Sequence, residues 1–287
     1  MKNEPKLIAV AYDLNFRHAA EIFSGASDYL QKQGLDWRLL PLNFGFEAKL
    51  MELAASGRLS GAIGTFVSDA WIRGLSAHQV AAVNLFHFSL IKTVPSIKLD
   101  DEAIGHVAAK HLLDQGARTL AFVSQDEAYF NKTRRRSFAE TCPQHRFHSV
   151  DSMALRKVQA ESLKDLEKPV GVLCSNDRIA RELCNEARLQ KIDVGKSLLV
   201  VGIGNEPAES TFAGIGLSSF DIPAREIGFR AAKAMEALLD PECSTGSRNS
   251  TETIRAKLIA RESTLSTPRA RLTERARALI DESIAKA

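Results

Sequence analysis

Gly171-Val172-Leu173-Cys174-Ser175-Asn176-Asp177-Arg178-Ile179-Ala180 decides the fold class. The apolar run ends at Ser-Asn-Asp, and apolar residues then recur at three- and four-residue spacing through Asn176 to Gln190, the mark of an amphipathic helix. The next apolar run, Leu198 to Ile203, supplies a second strand. A strand, a helix and a strand in this order form the crossover unit of a parallel sheet.

The same alternation extends in both directions. Short apolar runs predict strands at Leu7 to Ala11, Trp37 to Leu42, Gly61 to Phe66, Val80 to Leu85 and Leu120 to Ser124. Helical periodicity fills His18 to Gln33, Ala103 to Leu113 and Ala224 to Leu239. The class is α/β. Gly34 and Gly116 stand where a left-handed residue ends a helix, and Pro223 stands where the last of these helices begins. The stretch Glu242 to Thr253, rich in Ser, Thr and charge, reads as a surface loop. From Thr264 the character changes. Thr267 and Pro268 form a cap and first turn, Leu272, Ala276, Leu279, Ile280 and Ile284 share one face, and Arg269, Arg271, Arg275 and Arg277 lie largely off it.

At 287 residues and 45% apolar side chains the chain can bury one large core or two moderate ones. A formal charge of +3 is too small to mark a nucleic-acid surface by itself, so DNA contact has to come from a local element. Cys142, Cys174, Cys184 and Cys243 are widely spaced, without a C-x-x-C pair or histidines at ligand spacing, and read as idle thiols in a reducing compartment. The segment Leu7 to Ala11 is too short for a secretory signal, and no apolar run approaches the roughly 20 residues of a membrane span. A cytoplasmic protein is expected. The phosphate loop G-x-x-x-x-G-K-[ST], H-E-x-x-H and G-x-S-x-G are absent, and Gly202-Ile203-Gly204 lacks the third glycine of a dinucleotide fingerprint. No enzyme, cofactor or metal is expected.

An ordered set of phrases carries a family resemblance. Ser96-Ile-Lys-Leu-Asp-Asp101-Glu-Ala-Ile-Gly105 is followed by Leu120-Ala-Phe-Val-Ser124, Arg134-Arg-Arg-Ser-Phe138, Gly171 to Ala180, Val200-Val-Gly-Ile-Gly-Asn205, Leu217-Ser-Ser219 and Arg261-Glu-Ser-Thr264. In this order and spacing the chain resembles the sensor domains of LacI/GalR regulators. Ser24-Gly-Ala-Ser-Asp-Tyr-Leu30 and Gly202-Ile-Gly-Asn-Glu206 are similar to the xylose-operon activators, in which such a sensor precedes an AraC-type DNA-binding domain. The resemblance covers residues 7 to 264 and implies a two-lobed periplasmic-binding-protein-like type I fold. Lobe one would hold 1–117 plus 221–264 and lobe two 118–220, with a ligand between them and three hinge crossings. The tail 265–287 would open the helical DNA-binding region. A homodimer is the usual arrangement of such regulators.

Polyhydroxylated ligands need fixed donors and acceptors at strand ends. Tyr12, Asp13, Asn15, Phe16 and Arg17 follow the first strand, either as ligand contacts or as an ordinary strand-to-helix loop with a cap. Arg134 stands at the family's spacing for the arginine that donates to sugar hydroxyls; otherwise Arg134 to Arg136 form a solvated basic patch. Asp177 can accept from a ligand or cap its helix. After Val200-Val-Gly-Ile the family places an aspartate, and here stands Gly204, followed by Asn205 and Glu206. Losing a charge-assisted hydrogen bond costs about 1.5 to 3 kcal/mol, so the ligand need not be a standard pentose, and Asn205 or Glu206 are the candidate replacements. Trp37 reads as core, Trp71 opens a helix and stays available to stack on a sugar, and His87 reads as a loop or interface residue, with reach into the cleft as its alternative. The resemblance thus implies a regulator that senses a sugar or similar small polar effector; the alternatives are a dimerisation or protein-interaction module that has lost its ligand, and a sugar-processing enzyme.

Overall fold

A computed structural model describes residues 5–12, 17–42, 46–141, 147–151, 163–240 and 250–265, together with 272, 276, 279, 280 and 283. The chain divides into two compact units, Met1–Asp100 with Ala128–Phe130 and Pro223–Arg255, and Asp101–Glu127 with Asn131–Ile222 and Ala256–Ala287.

The first unit is built on a parallel six-stranded sheet in the order β11 (Thr251–Ile254), β5 (Ser96–Leu99), β4 (Ala81–Leu85), β3 (Gly61–Gly64), β1 (Lys6–Ala11), β2 (Trp37–Leu42). Its central strands are buried on both faces, which is why they read as apolar runs without alternation. Ala9, Ala11, Ala62 and Ala82 pack on one face against Leu50 and Leu53 of α2 (Phe46–Ala55) and Ile72 and Leu75 of α3 (Asp69–Ala77). The other face carries α1 (Arg17–Gln33) and α8 (Ala224–Leu239). These two helices cross at glycine. A Cβ on Gly25 would lie 1.9 Å from the Arg225 carbonyl oxygen, and one on Gly228 would lie 1.9 Å from that of Ile22. Arg225 clasps Asp28 with Nε and Nη2 at 2.6 and 2.8 Å, and the Tyr29 hydroxyl donates to Glu236.

The second unit repeats the plan with the order β12 (Lys257–Ile259), β10 (Ser218–Asp221), β9 (Leu198–Ile203), β8 (Val170–Cys174), β6 (Thr119–Ser124), β7 (Phe147–Asp151), all parallel except β12 against β10. Helix α6 (Asp177–Leu189) buries Ile179, Leu183 and Ala187 on Val170, Val172 and Val200. Each large aliphatic side chain so buried contributes about 1.5 to 3 kcal/mol. On the Leu112 side α4 (Asp101–Asp114) meets β8, where Gly171 leaves the space. Helix α5 (Tyr129–Glu140) buries Phe138, and α7 (Pro207–Ala213) follows β9.

The strand and helix expectations hold with small shifts. Gly34 and Gly116 are left-handed at φ 66° and 89°, and Pro223 caps α8. Predicted strand Gly61 to Phe66 stops at Gly64, with Phe66 buried beyond it. The expected loop Glu242 to Thr253 ends in strand β11, while 242–249 lie outside the described residues. The units also differ from the lobes read in sequence. Helix α4 belongs to the second unit, because Asp101 pairs with Arg134 and Gly105 brings α4 against Ser137 and the Arg134 backbone. Residues 256–264 join it as well, since β12 pairs with β10. Of the tail helix, Leu272, Leu279 and Ile280 are exposed, and Ser283 Oγ donates to the Leu279 carbonyl at 2.8 Å. Its cap Thr267-Pro268, its four arginines and Ile284 lie outside the described residues.

Candidate functional site

Polar side chains gather where β6, β8, β9 and β10 of the second unit end. Arg134 projects from the middle of α5 and is 5% exposed; its Nε donates to Asp101 Oδ1 at 2.8 Å. Arg135 and Arg136 instead pair with Glu127 and Glu102 on the surface, so one arginine of the run is interior. Near the start of the same helix Asn131, 2% exposed, donates from Nδ2 to Asp126 Oδ1 at 2.7 Å, and its Oδ1 is buried without a hydrogen-bond partner. The Ser175 hydroxyl, just past β8, is likewise buried and unpartnered, while its backbone N–H bonds Val123 of the neighbouring strand at 2.9 Å. Buried polar groups are nearly always bonded in folded proteins, so these two orphans, one on α5 and one just past β8, are places where a partner is wanted.

Asp177 does not cap its helix. That role falls to Asn176, whose side chain accepts from Ile179 N–H at 2.9 Å. Freed from capping, the 3% exposed carboxylate of Asp177 turns to the strand ends. Oδ1 accepts from Ser219 Oγ at 2.6 Å and Oδ2 from the Glu206 backbone N–H at 2.8 Å. Gly202 makes this possible, since a Cβ there would meet Oδ1 at 2.0 Å. Burial raises the Asp177 pKa to about 6, opposed by the bonds from Ser219 and Glu206 and by the Arg261 charge, and assisted by the Glu206 carboxylate. Gly204 (φ 132°) and Asn205 (φ 51°) turn the backbone sharply into α7. The Asn205 side chain is engaged at both ends, donating from Nδ2 to Asp221 Oδ1 at 2.9 Å and accepting at Oδ1 from Arg261 Nη2 at 2.7 Å.

In the first unit, Tyr12 follows β1 with its hydroxyl 3.0 Å from His18 Nε2 and its ring 5.6 Å from that of Phe86. Arg17 opens α1 and pairs with Glu21 at 3.4 Å on the surface. Asp13, Asn15 and Phe16 lie outside the described residues. Trp37 and Trp71 are half-buried against apolar clusters. His87 meets Tyr129 ring to ring at 4.9 Å, and burial, with the Lys98 charge, lowers its pKa.

The second unit therefore brings together Arg134 with Asp101, and Asp177 with Glu206, while Asn205 is held by neighbours. Asp101, Asn131, Ser175, Ser219 and Arg261 were not singled out in sequence. Asp101 is concealed as one of two acids in a helix first turn, and the serines belong to unremarkable strand ends; only the seam between apolar run and helix hints at them.

Two α/β units of this topology with polar strand ends define a binding domain, and the chain belongs to the periplasmic binding protein-like domain family, which matches residues 109–264. It is 29% identical over 182 residues to the xylose operon regulatory protein of Haemophilus influenzae, covering 55% of this chain and 47% of that one. The Escherichia coli K12 xylose operon regulatory protein is 24% identical over 252 residues, 82% of this chain and 64% of that one. The chain thus spans less than two thirds of the length of these relatives. In fold it is similar to a LacI family transcriptional regulator from Enterococcus faecium with bound ribose, at TM-score 0.74 and 21% identity, covering 91% of this chain and 100% of that one.

Proposed function

We propose that this chain is the sugar-sensing part of a longer cytoplasmic transcription regulator. It binds a sugar or related small polar molecule and conveys occupancy to an AraC-type DNA-binding region, acting as a homodimer and not as an enzyme. The observation that carries the reading is the pair of buried, unpartnered polar atoms of the second unit, Ser175 Oγ just past β8 and Asn131 Oδ1 on α5, in a unit that also buries Arg134 and Asp177. Each orphan costs about 1 to 3 kcal/mol, and a ligand with several hydroxyls offers both donors and acceptors to relieve it. The names of the xylose-operon relatives and the ribose bound to the Enterococcus regulator favour the same ligand class. Arg134, Asp177 and Glu206 are the proposed contacts of the second unit, and Tyr12 and Arg17 those of the first, together with Asp13 and Phe16, which the sequence nominates and which lie outside the described residues. Asn205, occupied by Asp221 and Arg261, serves to position rather than to touch.

A thermal-shift series with pentoses, hexoses, uronic acids and sugar phosphates tests this, since a ligand specific to the folded state raises Tm with concentration, equivalent to about 2.7 kcal/mol at a hundredfold excess over Kd. A saturable shift with one sugar class is expected. A folded chain that responds to none supports the second reading, an interaction module without effector, which the glycine at 204 and the internal engagement of Asn205 favour.

A further inference from the structure

We infer that Arg261 is a positioning residue that ties the strand-end loop at Asn205 to the segment leading out of the last strand. Its role as a relay rests on the sugar reading above; the link itself does not. Gly204 and Asn205 are two successive residues at positive φ, a conformation an asparagine adopts at some cost and keeps only when its surroundings fix it. Here three bonds do so: its N–H to Ser219 Oγ at 3.0 Å, its Nδ2 to Asp221, and its Oδ1 from the Arg261 guanidinium. The same Ser219 hydroxyl donates to Asp177, whose other oxygen accepts from Glu206 N–H, so loop and carboxylate form one bonded set.

Arg261 is anchored from the opposite side. Its Nη1 donates to the Leu217 carbonyl at 2.6 Å and its backbone N–H to Ser218 Oγ at 2.8 Å. Ser218 Oγ lies 2.7 Å from Thr264 Oγ1, which lies 2.9 Å from His111 Nε2 on α4. Ser218, Ser263 and Thr264 are fully buried, and Ser263 bridges the Ser218 N–H and the Val200 carbonyl at 2.8 and 2.6 Å. Residues 261–264 are therefore bound into the sheet through hydroxyls, and the Arg261 fork reaches from them to Asn205. A ligand drawing on Asp177 or the Glu206 loop acts on the same bonded set that holds the chain where it runs toward the exposed helical residues Leu272, Leu279 and Ile280. Contiguous bonding of this kind is a physical route for coupling, and coupling itself is measurable.

Amide hydrogen exchange on the whole chain tests this. Asn205→Gly keeps the positive φ without strain and removes the side chain with its bonds to Asp221 and Arg261. Without ligand it is expected to speed exchange at 262–265 by about tenfold, the loss of the Arg261 bond, with amides of β8 unchanged. Unchanged exchange at 262–265 overturns the link. With D-xylose as probe, wild-type protein should gain protection at both 203–206 and 262–265, and Arg261→Met at 203–206 alone. Protection still reaching 262–265 in Arg261→Met overturns the relay. Absence of any wild-type response to D-xylose counts against the sugar reading, while the ligand-free comparison decides the link. Should Arg261→Met fail to fold, Asn205→Gly carries both arms.

Discussion

Arg134 and Asp101 face one another with side chains 6% and 5% exposed, each charge having left water for a position fixed by the other. Removing one member of a buried pair leaves the second uncompensated and costs about 3 to 5 kcal/mol. Arg134→Met should therefore lower the urea-unfolding free energy by that amount, and adding Asp101→Leu should recover part of the loss. A study of ligand contacts that truncates Arg134 will thus first report stability, and Arg134→Lys, which keeps the charge, is the cleaner variant. Asp177 behaves in the opposite sense. Its folded pKa of about 6 lies above the ordinary carboxylate range, so the native state binds a proton that the unfolded chain has released. Between about pH 6 and 4 native stability gained from this group increases as pH falls; at pH 7 it is absent. Relative to Asp177→Asn, which cannot titrate, wild-type protein should gain on the order of 1 to 3 kcal/mol between pH 7 and pH 4 in denaturant titrations.

The α1–α8 crossing shows how much an element owes to one missing methyl. With the opposing carbonyl oxygen 1.9 Å from a Cβ at 228, Gly228→Ala has to separate the helices, and a loss of about 1 to 3 kcal/mol in chemical denaturation is expected despite alanine's better helix propensity. Sequence made α1, α6 and α8 legible because each is long, apolar on one stripe and bounded by a cap. It also pointed to Arg134 and Asp177. It did not reveal β7, β11 and β12, short edge strands whose conformation comes from pairing, nor α7, only seven residues long. The Arg134 partner stayed hidden for a similar reason. Asp101 lies 33 positions away, and nothing in local periodicity joins two helices in space. Capping by Asn176 instead of Asp177 is a choice between neighbours that only backbone geometry makes.

At the scale of the molecule, two large apolar side chains of the second unit are exposed. Leu189 ends α6 at 80% exposure and Phe212 lies in α7 at 66%, and Arg188 of α6 donates to the Ala213 carbonyl at the end of α7. A homodimer is part of the proposed function, and this patch is where it is expected to close. Leu189→Glu with Phe212→Glu should yield a monomer in analytical ultracentrifugation with the far-ultraviolet spectrum unchanged; a dimer that survives both places the interface elsewhere. Both sheets, finally, receive their last strand from one short stretch: β11 completes the first and β12 the second, with Arg255 and Ala256 between them. On the ribosome β5 is made about 150 residues before the β11 it pairs with. Neither unit can therefore mature early in synthesis while the other follows. The nascent chain carries two open sheet edges until 251–259 emerge, and both close within a few residues of translation, so a pause or truncation just before Ser250 would leave both halves to chaperones at once.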